Sequence, residues 1–151
     1  MSQPSLSPAP ILEIRRARPT EMEACADLYL KVLRETFTWM APDRHSRDDF
    51  FRFAREEEIY VALEDGALVG LAGFYRPQSF IHSLYVDVRG RGVGRALIAH
   101  LAATAAHPLC LKVQLPNLGA RAFYAREGFV GVEQGCDPGS DITWLRMVRN
   151  A

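Results

Sequence analysis

Apolar positions along the chain fall into runs of two periods, one suited to strands and one to helices. Ile11, Leu12 and Ile14 form a short strand. Pro19 to about Phe37 follows as a helix with Met22, Cys25, Ala26, Leu28, Tyr29, Val32 and Leu33 near helical spacing. Thr38–Arg44 reads as a loop. Ser46 with Asp48 and Asp49 then suits the start of a second helix that carries Phe50, Phe51 and Phe53 and ends near Glu57. Ile59–Leu63 and Ala67–Tyr75 are strand-like and are joined by Glu64-Asp65-Gly66, where the Asp-Gly pair is a hairpin signal. Pro77 interrupts, and Phe80–Val86 supplies another strand. Gly92 to about His107 reads as a helix stopped before Pro108, and Leu109–Leu115 as a buried strand. Asn117 caps a short helix running to Arg126, Gly128 suits the left-handed turn beyond it, and Phe129–Val132 and Ile142–Val148 are the last strands. The order β-α-α-β-β-β-α-β-α-β-β predicts a mixed sheet with helices on its faces.

Composition narrows the class. An apolar content of 48% over 151 residues fills one core. We therefore expect one domain over residues 11–149, preceded by a disordered tail over residues 1–10, where Ser and Pro outweigh apolar side chains. Lys and Arg number 18 and Asp and Glu 18, so no charge excess points to nucleic acid. No apolar run is long enough to span a membrane, and no basic stretch followed by an apolar segment opens the chain, so a cytoplasmic protein without a membrane partner is expected. Cys25, Cys110 and Cys136 are far apart and outside any CxxC spacing, which predicts reduced, mostly buried thiols and no metal site. His45, His100 and His107 read as surface or helix-end residues.

The segment from Leu84 to Leu97 carries the most chemistry. It runs strand, Gly/Arg turn, helix start, with Gly90, Gly92 and Gly94 interleaved by arginines. Glycines let the backbone approach a ligand closely, and the free N–H groups of a helix start favour phosphate oxygens. Arg89, Arg91 and Arg95 add positive charge. The competing explanation is a turn that is glycine-rich for steric reasons alone. A dinucleotide GxGxxG would need Gly or Ala at Arg95 counted from Gly90, or at Leu97 counted from Gly92, and the Gly-Lys-Ser/Thr of a Walker loop is absent.

The pattern Arg/Gln-x-x-Gly-x-Gly/Ala is met by Arg89-Gly90-Arg91-Gly92-Val93-Gly94. A second element follows, N-x-x-A-x-x-F-Y-x-x-x-G-F, met by Asn117, Ala120, Phe123, Tyr124, Gly128 and Phe129. With both, the chain resembles the GNAT N-acetyltransferases over roughly residues 11–148. The resemblance implies a single-domain α/β fold with a mixed, mostly antiparallel sheet flanked by helices. It implies transfer of an acetyl group from acetyl-CoA to an amine of a small molecule or peptide by direct attack, without a metal. By resemblance, the backbone from Arg91 to Arg95, through Gly92, Val93 and Gly94, grips the pyrophosphate, with Arg89 and Gly90 completing the turn. Leu84, Tyr85 and Val86 pair with the pantetheine arm, and the Leu84 N–H polarises the thioester carbonyl. Asn117 contacts the cofactor, or serves only as a helix cap.

Tyr124 matches the position of the general acid for the CoA thiolate; without the resemblance it would read as a core aromatic. Several family members carry a catalytic carboxylate where this chain has Phe80. His82 is then the candidate general base, resembling the imidazole used on this strand by arylalkylamine-type members, and strand alternation puts it on one face with Phe80, Leu84 and Val86. Its competing role is that of a structural histidine. Only Asp87 and Val88 separate Val86 from Arg89, a shorter turn than the family commonly has. The acceptor regions supply Glu35, Phe37, Trp39, Met40, Asp43, Asp137, Asp141 and Trp144, which either bind a cationic amine or form an aromatic pair beside a solvated acidic face. The rival readings are a non-catalytic acyl-CoA-binding regulatory domain of the same fold and a small interaction domain. A homodimer is possible by resemblance.

Overall fold

The structure is a computed structural model that describes residues 11–36, 46–87 and 92–150. Strand β1 (Leu12–Arg16) leads through a 3-10 turn at Pro19–Glu21 into α1 (Met22–Thr36). After α2 (Arg47–Ala54) come β2 (Glu58–Glu64), β3 (Ala67–Tyr75) and β4 (Phe80–Val86), with a second 3-10 turn over Arg76–Gln78 where Pro77 stands. Helix α3 (Val93–Thr104), β5 (Cys110–Gln114), α4 (Leu118–Arg126), β6 (Phe129–Cys136) and β7 (Thr143–Arg149) complete the chain. The expected element order and the mixed α/β class both hold.

The strands form one seven-stranded sheet in the order β1-β2-β3-β4-β5-β7-β6. Every neighbouring pair is antiparallel except β4 with β5, which the crossover through α3 makes parallel. The β2–β3 hairpin turns at Asp65 and Gly66, both at positive φ (50° and 86°), the conformation that the Asp-Gly pair predicts. One sheet face packs under α3 and α4 through Phe74, Ile81, Leu97, Leu101 and Leu111, and the other packs under α1 and α2 through Leu28, Tyr29, Phe50, Val61 and Leu71.

Besides small shifts at strand ends and the 3-10 turn that stands where α1 was expected to begin, three boundaries differ from expectation. Helix α2 stops at Ala54, short of Glu57, because its last turn tightens, with the Glu56 N–H donating to the Phe53 carbonyl at 3.1 Å. Helix α3 stops at Thr104, where Ala105 turns extended (φ −72°, ψ 139°) and brings the chain back toward β5. Strand β6 runs to Cys136, past the expected Val132; it is an edge strand exposed along most of its length, so burial imposes no alternation on its side chains. Cys25 and Cys110 are buried as expected, but Cys136 is exposed at the far end of this edge strand.

Candidate active site

The parallel pairing of β4 with β5 lasts for two registers, Phe80 with Cys110 and Ile81 with Leu111. Beyond them β4 stays paired with β3 and β5 with β7, so the two strands part and leave a wedge between Leu84–Val86 and Lys112–Gln114. The Asp87 N–H donates to the Val69 carbonyl across β3 at 2.9 Å. Because the N–H and C=O of successive strand residues point to alternate edges, Leu84 and Val86 direct theirs into the wedge, while Tyr85 bonds toward β3. The Tyr85 side chain packs edge-on against Tyr29 on the α1–α2 face, with ring centroids 5.2 Å apart.

Helix α3 opens at the end of this wedge. Gly92 takes φ +74° as its N-cap, and the N–H groups of Val93, Gly94 and Arg95 have no carbonyl one turn earlier within the helix. Gly94 is buried beneath the Phe123 ring of α4. The Arg95 guanidinium, expected to add positive charge at the turn, bonds the Glu127 carboxylate through Nε at 3.1 and 3.3 Å, and so ties α3 to the end of α4. Asp87, the last described residue before the turn, pairs with Lys31 of α1 at 2.9 Å. Arg89, Gly90 and Arg91, and with them most of the short turn, lie outside the described residues. Asn117 caps α4, its Oδ1 accepting from the Ala120 N–H at 3.2 Å. Tyr124 packs between Phe123 and Phe129 (5.3 and 5.5 Å), and burial holds its phenol above the usual value. Burial does the same to Tyr85, whose ionisation Tyr29 and Tyr124 further oppose.

His82 departs from its expected place. The β3–β4 register shifts between Gly73, which faces Ser83, and Phe74, which faces Ile81, so His82 is the extra residue of a β-bulge. The bulge resets the alternation. His82 stays near Phe80 (rings 6.5 Å apart) but lies on the α1–α2 face, whereas Leu84 and Val86 pack with the α3 side. Phe53 of α2 meets the imidazole edge-on at 4.8 Å. Glu57, read from the sequence only as the end of a helix, brings its Oε1 to 2.6 Å from His82 Nδ1. Nothing in the local pattern marks that contact, because it joins the segment after α2 to a strand on the far side of β2 and β3.

A cleft of about 590 Å³ opens at the apex of the wedge, lined by Phe80 and Cys110 and by side chains of β5, β6 and β7. Trp144 stands in it, with its indole N–H donating to Asp137 Oδ1 at 3.1 Å and Lys112 Nζ lying 4.2 Å from its ring centre. Of the other expected acceptor residues, Glu35 is exposed on the last turn of α1, Asp141 is exposed before β7, and Phe37, Trp39, Met40 and Asp43 lie outside the described residues, as does His45. His100 lies against the Tyr60 ring at 5.3 Å, and the backbone N–H of His107 donates to Ser79 Oγ. Among the described residues no cluster of metal-ligating side chains forms, and no helix is long and apolar enough to cross a membrane.

The model of the acetyltransferase (GNAT) family matches residues 24–129. The peptidyl-lysine N-acetyltransferase YjaB of Escherichia coli (strain K12) is 33% identical over 125 residues, covering 79% of this chain and 82% of YjaB. The solution structure of its apo form superposes with a TM-score of 0.79 at 26% identity, over 91% of this chain and 97% of that one. The PaiA N-acetyltransferase from Thermoplasma acidophilum, solved in complex with coenzyme A, shares the fold at 15% identity, with a TM-score of 0.73 over 93% of this chain and 99% of that one. Family model, relative and fold agree with a wedge that opens onto a helix start, and the chain belongs to the GNAT family of acetyl-CoA-dependent N-acetyltransferases.

Proposed function

We propose that this enzyme acetylates the side-chain amine of a lysine in a peptide or protein, with His82 as general base and Tyr124 as the donor to the departing thiolate. The observation that carries this reading is the arrangement along β4: Leu84 turns its N–H into the wedge two residues beyond His82, whose ring stands 6.5 Å from that of Phe80, a residue of the cleft lining. The name of the YjaB relative, a peptidyl-lysine N-acetyltransferase, supports the acceptor class.

The chain's groups fit the cosubstrate. Leu84 and Val86 present a strand edge without a pairing strand among the described residues, which an extended amide-bearing arm can join as an added strand would. The N–H groups of Val93, Gly94 and Arg95 at the start of α3 suit phosphate oxygens, and Asn117 Oδ1, although engaged in capping, has a second lone pair for the arm. Bound acetyl-CoA supplies the thioester as acyl donor.

Three tasks then fall to the protein. The Leu84 N–H stabilises the oxygen on which negative charge develops. His82 accepts a proton from the attacking amine, whose nitrogen pair forms the new C–N bond while the C–S bond breaks and its pair leaves with sulfur. Tyr124 donates to that sulfur. A phenol near 10 facing a thiol near 8.5 gives up its proton uphill, by roughly 2 kcal/mol, and burial raises the cost. Its contribution is therefore a hydrogen bond to the thiolate more than complete proton transfer.

The test begins with calorimetric titration of acetyl-CoA, with NADH and ATP as controls, followed by an acceptor panel of lysine peptides, free polyamines and aminoglycosides. Selective micromolar binding and acetylation of the lysine peptides are expected. Turnover confined to the small amines overturns the acceptor class, and binding without any transfer overturns the catalytic roles.

A further inference from the structure

The Glu57 side chain is nine-tenths buried, with 9% of its surface exposed against 45% for His82. Its Oε1 lies 2.6 Å from His82 Nδ1, and its Oε2 is buried with no hydrogen-bond partner among the described residues. Burying a carboxylate oxygen without a partner is unfavourable, and a fold that only needed to fill this space would do so better with an apolar side chain. Three features of α2 and β3 shape the place of this pair. Phe53 of α2 meets the imidazole edge-on, the tightened end of α2 releases Glu57 toward the sheet, and Gly73 of β3 leaves the space it occupies. A Cβ at position 73 would lie 2.8 Å from Glu57 Oε2 and 2.6 Å from Ser83 Oγ, so any larger residue beside the bulge would push these two side chains aside.

We propose that Glu57 is the positioning residue of a Glu57–His82 pair. Its carboxylate accepts a hydrogen bond from Nδ1–H, which fixes the imidazole tautomer with its lone pair on Nε2, the nitrogen left to face the amine. This inference rests on the reading of His82 as the base. When Nε2 takes the amine proton, the imidazolium that forms is already in contact with a carboxylate, so its charge is compensated without side-chain rearrangement. The arrangement accounts for the Phe at position 80, since the carboxylate reaches the site from outside β4 and acts through the imidazole.

The experiment pairs imidazole ¹⁵N spectra of histidine-labelled protein with steady-state kinetics, for wild type, Glu57→Gln, Glu57→Ala and His82→Ala. In wild type the His82 resonances should report the Nδ1–H tautomer, and in Glu57→Ala they should move to Nε2–H, the form a free imidazole favours. The kcat of Glu57→Ala should fall roughly 10- to 100-fold with the acetyl-CoA KM within a factor of two. Glu57→Gln keeps an accepting oxygen without the charge, so it should retain the tautomer and lose about tenfold in kcat; it carries the test if Glu57→Ala does not fold. An Nε2–H tautomer in wild type, or full activity in Glu57→Gln, overturns the proposal. Unchanged turnover in His82→Ala removes the base reading by itself, while the tautomer comparison still decides whether Glu57 sets the imidazole.

Discussion

At the scale of single residues, the two groups proposed for proton transfer separate by environment. His82 is nearly half exposed near Phe80, whereas Tyr124 is packed among aromatics and its phenol is held above the ordinary value by burial. Replacing His82 by Ala should lower kcat/KM by roughly 10²- to 10⁴-fold, most severely below the pH at which the acceptor amine is itself deprotonated, as read from pH–rate profiles. An unaltered profile would remove His82 from proton transfer. Tyr124→Phe should reduce kcat about 10- to 100-fold while leaving acetyl-CoA affinity within a factor of two; the opposite split would make it a binding residue. The thiols separate in the same way. Burial pushes the Cys25 thiol up to about 11, Cys110 is buried, and Cys136 is exposed. A thiol reagent added to native protein should therefore react rapidly with Cys136 and with the other two only on unfolding.

At the scale of elements, the β4 bulge and the Asn117 cap do the positioning. The bulge was not legible in Phe80–Val86, because that segment carries apolar residues at both parities and so does not show where its alternation breaks, and its register is set by pairing with β3. Gly73→Ala is expected to destabilise the fold by about 1–3 kcal/mol in denaturant unfolding, and to lower kcat by displacing the Glu57 carboxylate. The cap was legible, since Asn117 stands immediately before the helical run and bonds the Ala120 N–H as such residues do. Its removal in Asn117→Ala should cost ~1 kcal/mol. The true extent of β6 was hidden because an exposed edge strand places no demand on the alternation of its side chains.

At the scale of the whole molecule, β1 is locked to the start of α1 by Arg15, which bonds both oxygens of Glu21 at 2.7 Å. Those bonds, with one from the Arg18 N–H, hold the Glu21 carboxyl at about 2, below its usual 4.5. A carboxyl depressed in the folded state stabilises fully above its unfolded value and loses that contribution as pH falls through the folded one. Glu58, lowered chiefly by its hydrogen bonds from Arg76, acts in the same direction. The unfolding temperature should thus decline as pH falls from about 4.5 to about 2. The decline should be shallower in Arg15→Met and in high salt, because the Arg15–Glu21 pair is partly exposed to solvent. Ligation acts on the molecule as a whole too. Acetyl-CoA at a hundred times its Kd should stabilise the native state by about 2.7 kcal/mol, and calorimetric scans would register this as a raised Tm.

Local chemistry determined much of this protein in advance. Hydrophobic periodicity placed the helices and strands in order, Asp65-Gly66 specified a hairpin, the Gly/Arg turn read as an anion site, and with the Asn117–Phe129 element it carried the resemblance that implies an acetyl-CoA enzyme, because each signal is contained in a few consecutive residues. The wedge, the bulge and the Glu57–His82 contact belong to the tertiary structure. The wedge depends on which strands β4 and β5 pair with after they part, the bulge on a register between two strands, and the contact on a helix ending early enough to free Glu57. Residues far apart in sequence become neighbours only through such pairings, and no periodicity within one segment encodes them.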